Sequence, residues 1–216
     1  KELHEIVEAV AKEAKIPKPK VYIVPSDANN AFATGPTYKK SVVAVTQGIM
    51  KLLTKEELKG VIAHEVAHIK NRDMLISSIA ATIAAVISYV AFMARWGAMF
   101  GGGNRENQNT NIIGLIVLGI LAPLAATVIQ LAISRSREYI ADETGARLVK
   151  NGDHLAKALE KLESNNKSHP LMLGSEATNH MMIVNPFRGA GRAFVSLFST
   201  HPASNERCKR LRALKF

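Results

Sequence analysis

Apolar and polar positions follow different rhythms along this chain, and each rhythm predicts an element. From Lys1 to Lys15 the residues Leu3, Ile6, Val7, Val10 and Ala14 share one stripe of a 3.6-residue period. That pattern predicts an amphipathic helix, stopped by Ile16-Pro17-Lys18-Pro19. Val21 to Val24 reads as a short strand closed by Pro25, and Ser41 to Thr46 as a second strand. Thr54-Lys55-Glu56-Glu57 is a capping box, so a helix starts there. It runs at least to Arg72 and can pass straight into the apolar run that follows. Met74 to Ala94 holds no charge for twenty-one residues. As a helix it measures roughly 31 Å, against a bilayer core of ~30 Å. A second uncharged stretch, Asn107 to Ser134, is strongly apolar from Ile112 to Ile133 and contains Pro123, which should kink it. Helical patterning resumes over Ser134 to Val149 and again over Asp153 to Ser164, and a last helix starts near Ser204. Ser164 to Thr200 is the least regular stretch.

The predicted class is therefore α+β and mainly helical, with an inserted transmembrane helical hairpin over 74–133 and the remaining domain formed by 1–73 and 134–216. A soluble domain of 216 residues could hardly bury both apolar runs all round. Gly101-Gly102-Gly103-Asn104 makes a flexible polar turn between them. The single cysteine, Cys208, excludes an internal disulfide.

Charge sharpens this picture. The formal net charge is +10, yet Met74 to Ile133 contains only Arg95, Arg105 and Glu106. Lys70 and Arg72 precede the first run, and Arg135, Arg137, Arg147 and Lys150 follow the second. The positive-inside rule then sets both outer flanks in the cytoplasm, facing an anionic leaflet. The lipid bilayer thus accounts for the basic composition, and nucleic acid is not expected as a partner. The chain has no glycine-rich phosphate loop and no aromatic-interleaved basic patch.

The chemistry is concentrated in His64-Glu65-Val66-Ala67-His68. Histidines at i and i+4 lie one helical turn apart on one face, so two imidazoles can meet one Zn²⁺. The glutamate between them can accept a proton from a metal-bound water. A catalytic zinc needs a third protein ligand. The continuation H-E-x-x-H-x-x-G-x-x-H is absent, since positions 71 and 74 hold Asn and Met. A hairpin returns the chain to the side it left. His68 lies six residues before Met74 and Glu138 five residues after Ile133, so both stand roughly 8–9 Å above the same membrane edge. Glu138 is accordingly the expected third ligand. Asp142, one turn further on the same face, can accept the free N–H of a ligating histidine.

The ordered set His64-Glu-Val-Ala-His68, Asn71-Arg72-Asp73, an apolar hairpin and Ser136-Arg-Glu-Tyr-Ile-Ala-Asp142 resembles the HtpX family of integral-membrane zinc metallopeptidases, relatives of the CAAX prenyl endoproteases. Asn30-Ala-Phe-Ala-Thr-Gly35 and Leu197-Phe-Ser-Thr-His-Pro202 with Glu206-Arg207 extend the resemblance over nearly the whole chain. It implies a zincin-like metalloprotease domain facing the cytoplasm, in the inner or plasma membrane of a prokaryote. It also implies cleavage of polypeptide substrates, chiefly misfolded or damaged membrane proteins. One Zn²⁺ per chain would be held by His64, His68 and Glu138, with Glu65 as general base. His201 matches a family histidine that steadies the oxyanion, and Arg207 either pairs with Asp142 or contacts substrate. Asn30, Ala31, Phe32 and Ala33 would form an edge strand that pairs with an extended peptide. Members of that family usually carry two further N-terminal spans, so this sequence is expected either to be truncated or to be numbered from after them.

Two other readings stay open. A CAAX-type prenyl protease needs an enclosed cavity for a lipidated tail, which two spans do not build unless upstream spans contribute. A non-enzymatic membrane protein with a structural metal site would have no use for Glu65.

Overall fold

The computed structural model describes residues 1–100, 108–168 and 202–216. The Gly101–Asn104 turn, His201 and the irregular stretch from 169 onward lie outside the described residues. The chain divides into two compact units, one of Lys1–Leu75 with Arg135–Phe216 and one of Ile76–Ser134.

The first unit is built around one helix. Helix α1 (Glu2–Ala14) buries Leu3, Ile6, Val7, Val10 and Ala14, because these positions form its apolar stripe. It ends at Lys15, which takes a left-handed conformation (φ 57°). Strands β1 (Lys20–Val24), β2 (Ala31–Thr34) and β3 (Val42–Thr46) form a three-stranded sheet in the order β1-β3-β2. β1 runs parallel to β3 and β2 antiparallel to it, with Ala33 opposite Val43. β2 is therefore an edge strand. A short helix, α2 (Gln47–Leu52), follows β3 and is capped by the Thr46 hydroxyl.

Helix α3 (Lys55–Lys70) starts at the capping box: the Glu57 N–H donates to Thr54 Oγ1, and the Thr54 N–H donates to Glu57 Oε2. Its middle, from Leu58 to Ala67, is almost wholly buried, since α1, the sheet and α6 (Asp153–Ser168) all pack on it. α6 in turn supports α7 (Ser204–Ala213). Two long helices complete the order, α4 (Asp73–Phe100) and α5 (Gln108–Val149).

One expectation is corrected here. α3 does not run on to Arg72 or continue into the first apolar run. It stops at Lys70, Arg72 adopts a left-handed backbone (φ 55°), and a new helix begins at Asp73. A non-glycine residue in that conformation costs on the order of 1–2 kcal/mol, and the site described below shows what the turn makes possible. α5, by contrast, passes through Pro123 without a break. Its far end lies against α3 at Gly145, where a Cβ would come within 2.9 Å of the His64 nitrogen. Only glycine permits that approach, and it brings Asp142 and Glu138, about one and two turns earlier, alongside α3.

In the second unit the apolar helices keep their greasy side chains outside. Ile83, Val86, Tyr89, Val90, Val128 and Ile129 are all more than half exposed. Segments Asp73–Gly97 and Gly119–Val149 are each long and apolar enough to cross a membrane. Core helices of a soluble protein would bury these faces.

Candidate metal centre

Three donor groups converge where α3 and α5 meet. The Nε2 atoms of His64 and His68 lie 3.0 Å apart; His64 Nε2 is 3.6 Å from Glu138 Oε2 and His68 Nε2 is 3.6 Å from Glu138 Oε1. The edge of a tetrahedron with corners ~2.0–2.1 Å from a central zinc is roughly 3.3 Å. Each separation is near that edge, so one oxygen of Glu138 and the two imidazoles are close enough to share one ion. The i, i+4 spacing aims both imidazoles the same way, and their rings meet edge to face.

The other face of each ring meets its own acid. His64 Nδ1 is 2.9 Å from Asp142 Oδ1, and His68 Nδ1 is 2.7 Å from Asp73 Oδ2. Each acid is held in turn by an arginine. Arg207, only 1% exposed, grips Asp142 with two hydrogen bonds, Nε to Oδ2 at 2.8 Å and a terminal nitrogen to Oδ1 at 2.7 Å. It also lies 3.5 Å from Glu138 Oε2. Arg137 pairs with Asp73 and donates to the Asn71 carbonyl. The site thus contains two parallel chains, Arg207–Asp142–His64 and Arg137–Asp73–His68.

The second chain exists because of the turn at Arg72. Five residues along a continuous helix rotate a side chain about 140° away, so Asp73 on an unbroken α3 would point away from His68. The left-handed residue folds the chain back and sets the carboxylate on the imidazole. Sequence reasoning missed both Asp73 and Arg137. Asp73 sat inside a motif noted only for its likeness, and Arg137 read as a basic flank.

Two features of this arrangement fit a divalent cation. With both Nδ1 atoms close to carboxylates, the two Nε2 atoms face each other at 3.0 Å. Without a metal a proton on His68 bridges them, and a divalent cation would take up both lone pairs in its place. The charges agree. Among the described residues, four carboxylates (Glu65, Asp73, Glu138, Asp142) surround the histidines against two guanidinium groups (Arg137, Arg207). A cation of charge two balances this buried set, and two imidazoles with one carboxylate suit Zn²⁺.

Glu65 lies beside this cluster, buried, with Oε2 accepting from the backbone N–H of Ala33 at 2.8 Å. Burial pushes its pKa up, although the neighbouring histidines and this hydrogen bond pull it down. Burial also depresses His68. The Asp73 hydrogen bond and the charges of Glu138, Glu65 and Asp73 outweigh that and raise it to about 9. Arg207 is raised above its ordinary value, because Asp142, Glu138 and Glu65 outweigh its desolvation.

Comparison with known proteins decides the family. The model for peptidase family M48 matches residues 1–215. The chain belongs to peptidase family M48. It is 55% identical over 213 residues to a protease HtpX homolog of Pyrococcus abyssi, covering 99% of this chain and 73% of that protein. A protease HtpX homolog of Syntrophobacter fumaroxidans is 50% identical over 216 residues, with 99% and 76% covered. The crystal structure of S. mikatae Ste24p superposes with a TM-score of 0.60 at 21% identity, covering 97% of this chain and 49% of that one. The mainly helical α+β fold is thus that of a known zinc-metalloprotease architecture. As a member of the M48 family the chain is a metalloprotease, and its two apolar helices make it a membrane protein.

Set against this M48 fold, the residues expected from sequence are distributed as follows. His64, Glu65, His68, Glu138, Asp142 and Arg207 come together in one cluster. Of the strand residues, Ala33 reaches it through Glu65. Ala31 is buried at 1% exposure, and the Asn30 backbone is tied to Thr46. Phe32 and Ala33 are half-buried, so the accessible part of the edge begins there. His201 lies outside the described residues.

Proposed function

We propose that this M48 protein is a zinc-dependent endopeptidase of the bilayer that cleaves misfolded or damaged membrane proteins, with its active site facing the cytoplasm. Residues 1–73 and 134–216 form the proteolytic domain, and 74–133 the transmembrane hairpin. His64, His68 and Glu138 hold one Zn²⁺, while Asp142 and Asp73 orient the two imidazoles. When bound, the zinc ion acidifies a water molecule and polarises the scissile carbonyl. Glu65 accepts the proton of that water and returns it to the leaving amine. Its burial supports this role, because a carboxylate raised toward neutrality is a better general base. Arg207 fixes Asp142 and thereby His64. His201 donates to the oxyanion; this role rests on its family resemblance alone. The substrate backbone lies along the outer edge of β2 at Ala33 and bonds to its carbonyl side, since the Ala33 N–H is held by Glu65; this makes side-chain selection secondary to extended backbone shape.

The observation that carries the reading is the convergence of two imidazoles and a carboxylate beside a buried acid, each imidazole backed by its own aspartate. A structural site would need no such acid. Glu65→Gln tests it. The variant should retain zinc and lose at least the ~10²–10⁴-fold typical of a general base on a denatured membrane protein. Cleavage near the normal rate would remove Glu65 from this role.

A further inference from the structure

A cleft of about 250 Å³ opens beside the metal centre. Its walls are Thr34 to Tyr38, which continue the edge strand, Ile69 of α3, and Met74 and Leu75 at the start of α4; His68 forms part of its lining. Whole small-molecule ligands occupy cavities of about 300–1,000 Å³, so this volume suits a single large side chain. The cleft is preformed. Gly35 takes a φ of +132°, and a Cβ there would meet the Lys40 carbonyl at 2.3 Å. The Gly35 N–H points at the Met74 sulfur at 3.2 Å. Tyr38 donates to the Lys70 carbonyl at 3.0 Å, and Arg72 donates to the Tyr38 hydroxyl at 3.1 Å. The two sides are thereby fastened to each other. Arg72 also borders the cleft, its guanidinium turned to Tyr38, while Pro36, Ile69, Met74 and Leu75 give it an apolar side, with Leu75 51% exposed.

Ala33 links this cleft to the chemistry, since it lines the cleft and also donates to Glu65. On the outer edge of β2 the Ala33 N–H serves Glu65 and the Gly35 N–H the Met74 sulfur, so an extended peptide beside it bonds to the carbonyl oxygens of that edge; it advances ~3.3 Å per residue and turns alternate side chains to one face. One of them therefore enters the cleft within a residue or two of the bond beside Glu65. We propose that the cleft between the Thr34–Tyr38 segment and the start of α4 is a selectivity pocket for one large apolar side chain of the substrate, next to the scissile bond. This rests on the proteolytic reading above.

The test uses the full chain in detergent with zinc. Cleavage sites in denatured proteins, mapped by mass spectrometry, should show a large apolar residue enriched at one fixed position. Replacing it by Gly should lower kcat/KM at least about tenfold, the scale of hydrophobic-pocket discrimination. Leu75→Trp narrows the cleft without touching the metal cluster. It should cost the Leu substrate at least about tenfold and leave an Ala substrate unaffected, whereas Met74→Ala should admit larger residues. A site profile identical in wild type and both variants would overturn the proposal. So would a Leu75→Trp effect confined to dependence on added phospholipid, the sign of an acyl chain in the cleft. Binding separates this from failure of the proteolytic reading. Labelled decapeptides of Ser and Ala with a central Leu or Gly are titrated onto Glu65→Gln protein and followed by anisotropy. Even if the wild type cleaves nothing, tighter binding of the Leu peptide that Leu75→Trp abolishes supports the pocket; equal or absent binding of both peptides rejects it.

Discussion

Removing Asp73 should loosen the zinc without dismantling the fold. Asp73→Ala deletes the carboxylate 2.7 Å from His68 Nδ1, a separation in the charge-assisted range. Loss of such an outer partner lowers metal affinity by roughly 10–100-fold, or about 1.4–2.7 kcal/mol. A hydrogen bond to a charged group contributes ~1.5–3 kcal/mol, so an independent route reaches the same range. Arg137 loses its anion but keeps the Asn71 carbonyl, and its side chain is 18% exposed. Water can therefore solvate it, and the structural cost stays near ~1 kcal/mol. Asp73→Asn keeps a hydrogen-bond acceptor without the charge. Ionised bonds are roughly twice as strong as neutral ones, so about half the free energy should go, near 3–10-fold in affinity. The assay is competition for zinc against a chromogenic chelator, with thermal unfolding of the metal-free protein as control. Arg72→Ala supplies the comparison, because Arg72 contacts Tyr38 rather than a histidine. If Asp73→Ala holds zinc as firmly as Arg72→Ala, the Arg137–Asp73–His68 chain does not support the metal.

Three further expectations follow from the same geometry. Glu138→Ala should lose zinc on dialysis against a mild chelator while Glu143→Ala retains it, since Glu143 instead pairs with Arg147; equal retention would exclude Glu138 as ligand. Without metal His68 keeps a proton up to about pH 9, which zinc must displace. Apparent affinity should therefore rise about tenfold per pH unit between pH 7 and 8 and flatten above about 9, and a flat isotherm series across this window would contradict the His68 assignment. In a Cys208→Ser background, a cysteine at Asn107 should react with an impermeant maleimide in intact cells and one at Asn151 only after lysis; the reverse pattern would place the active site outside.

The elements and the centre of the site were readable along the chain because they rest on local periodicity. A capping box at Thr54, a stripe on α1, two uncharged runs and histidines one helical turn apart need no knowledge of the fold. Glu138 was also within reach, although its argument assumed an unbroken rise from His68 into the hairpin. The structure breaks that helix at Arg72 and delivers Glu138 to the histidines through the close approach at Gly145. Tertiary structure alone decided how the ring nitrogens are backed. Asp73 meets His68 only because a non-glycine residue takes a left-handed turn, a conformation that residue type does not announce. Arg207 reaches Asp142 across 65 positions and Arg137 reaches Asp73 across 64. Arginines on a basic flank look alike in sequence. Which of them becomes buried against an acid depends on how distant helices pack, and no local period records that.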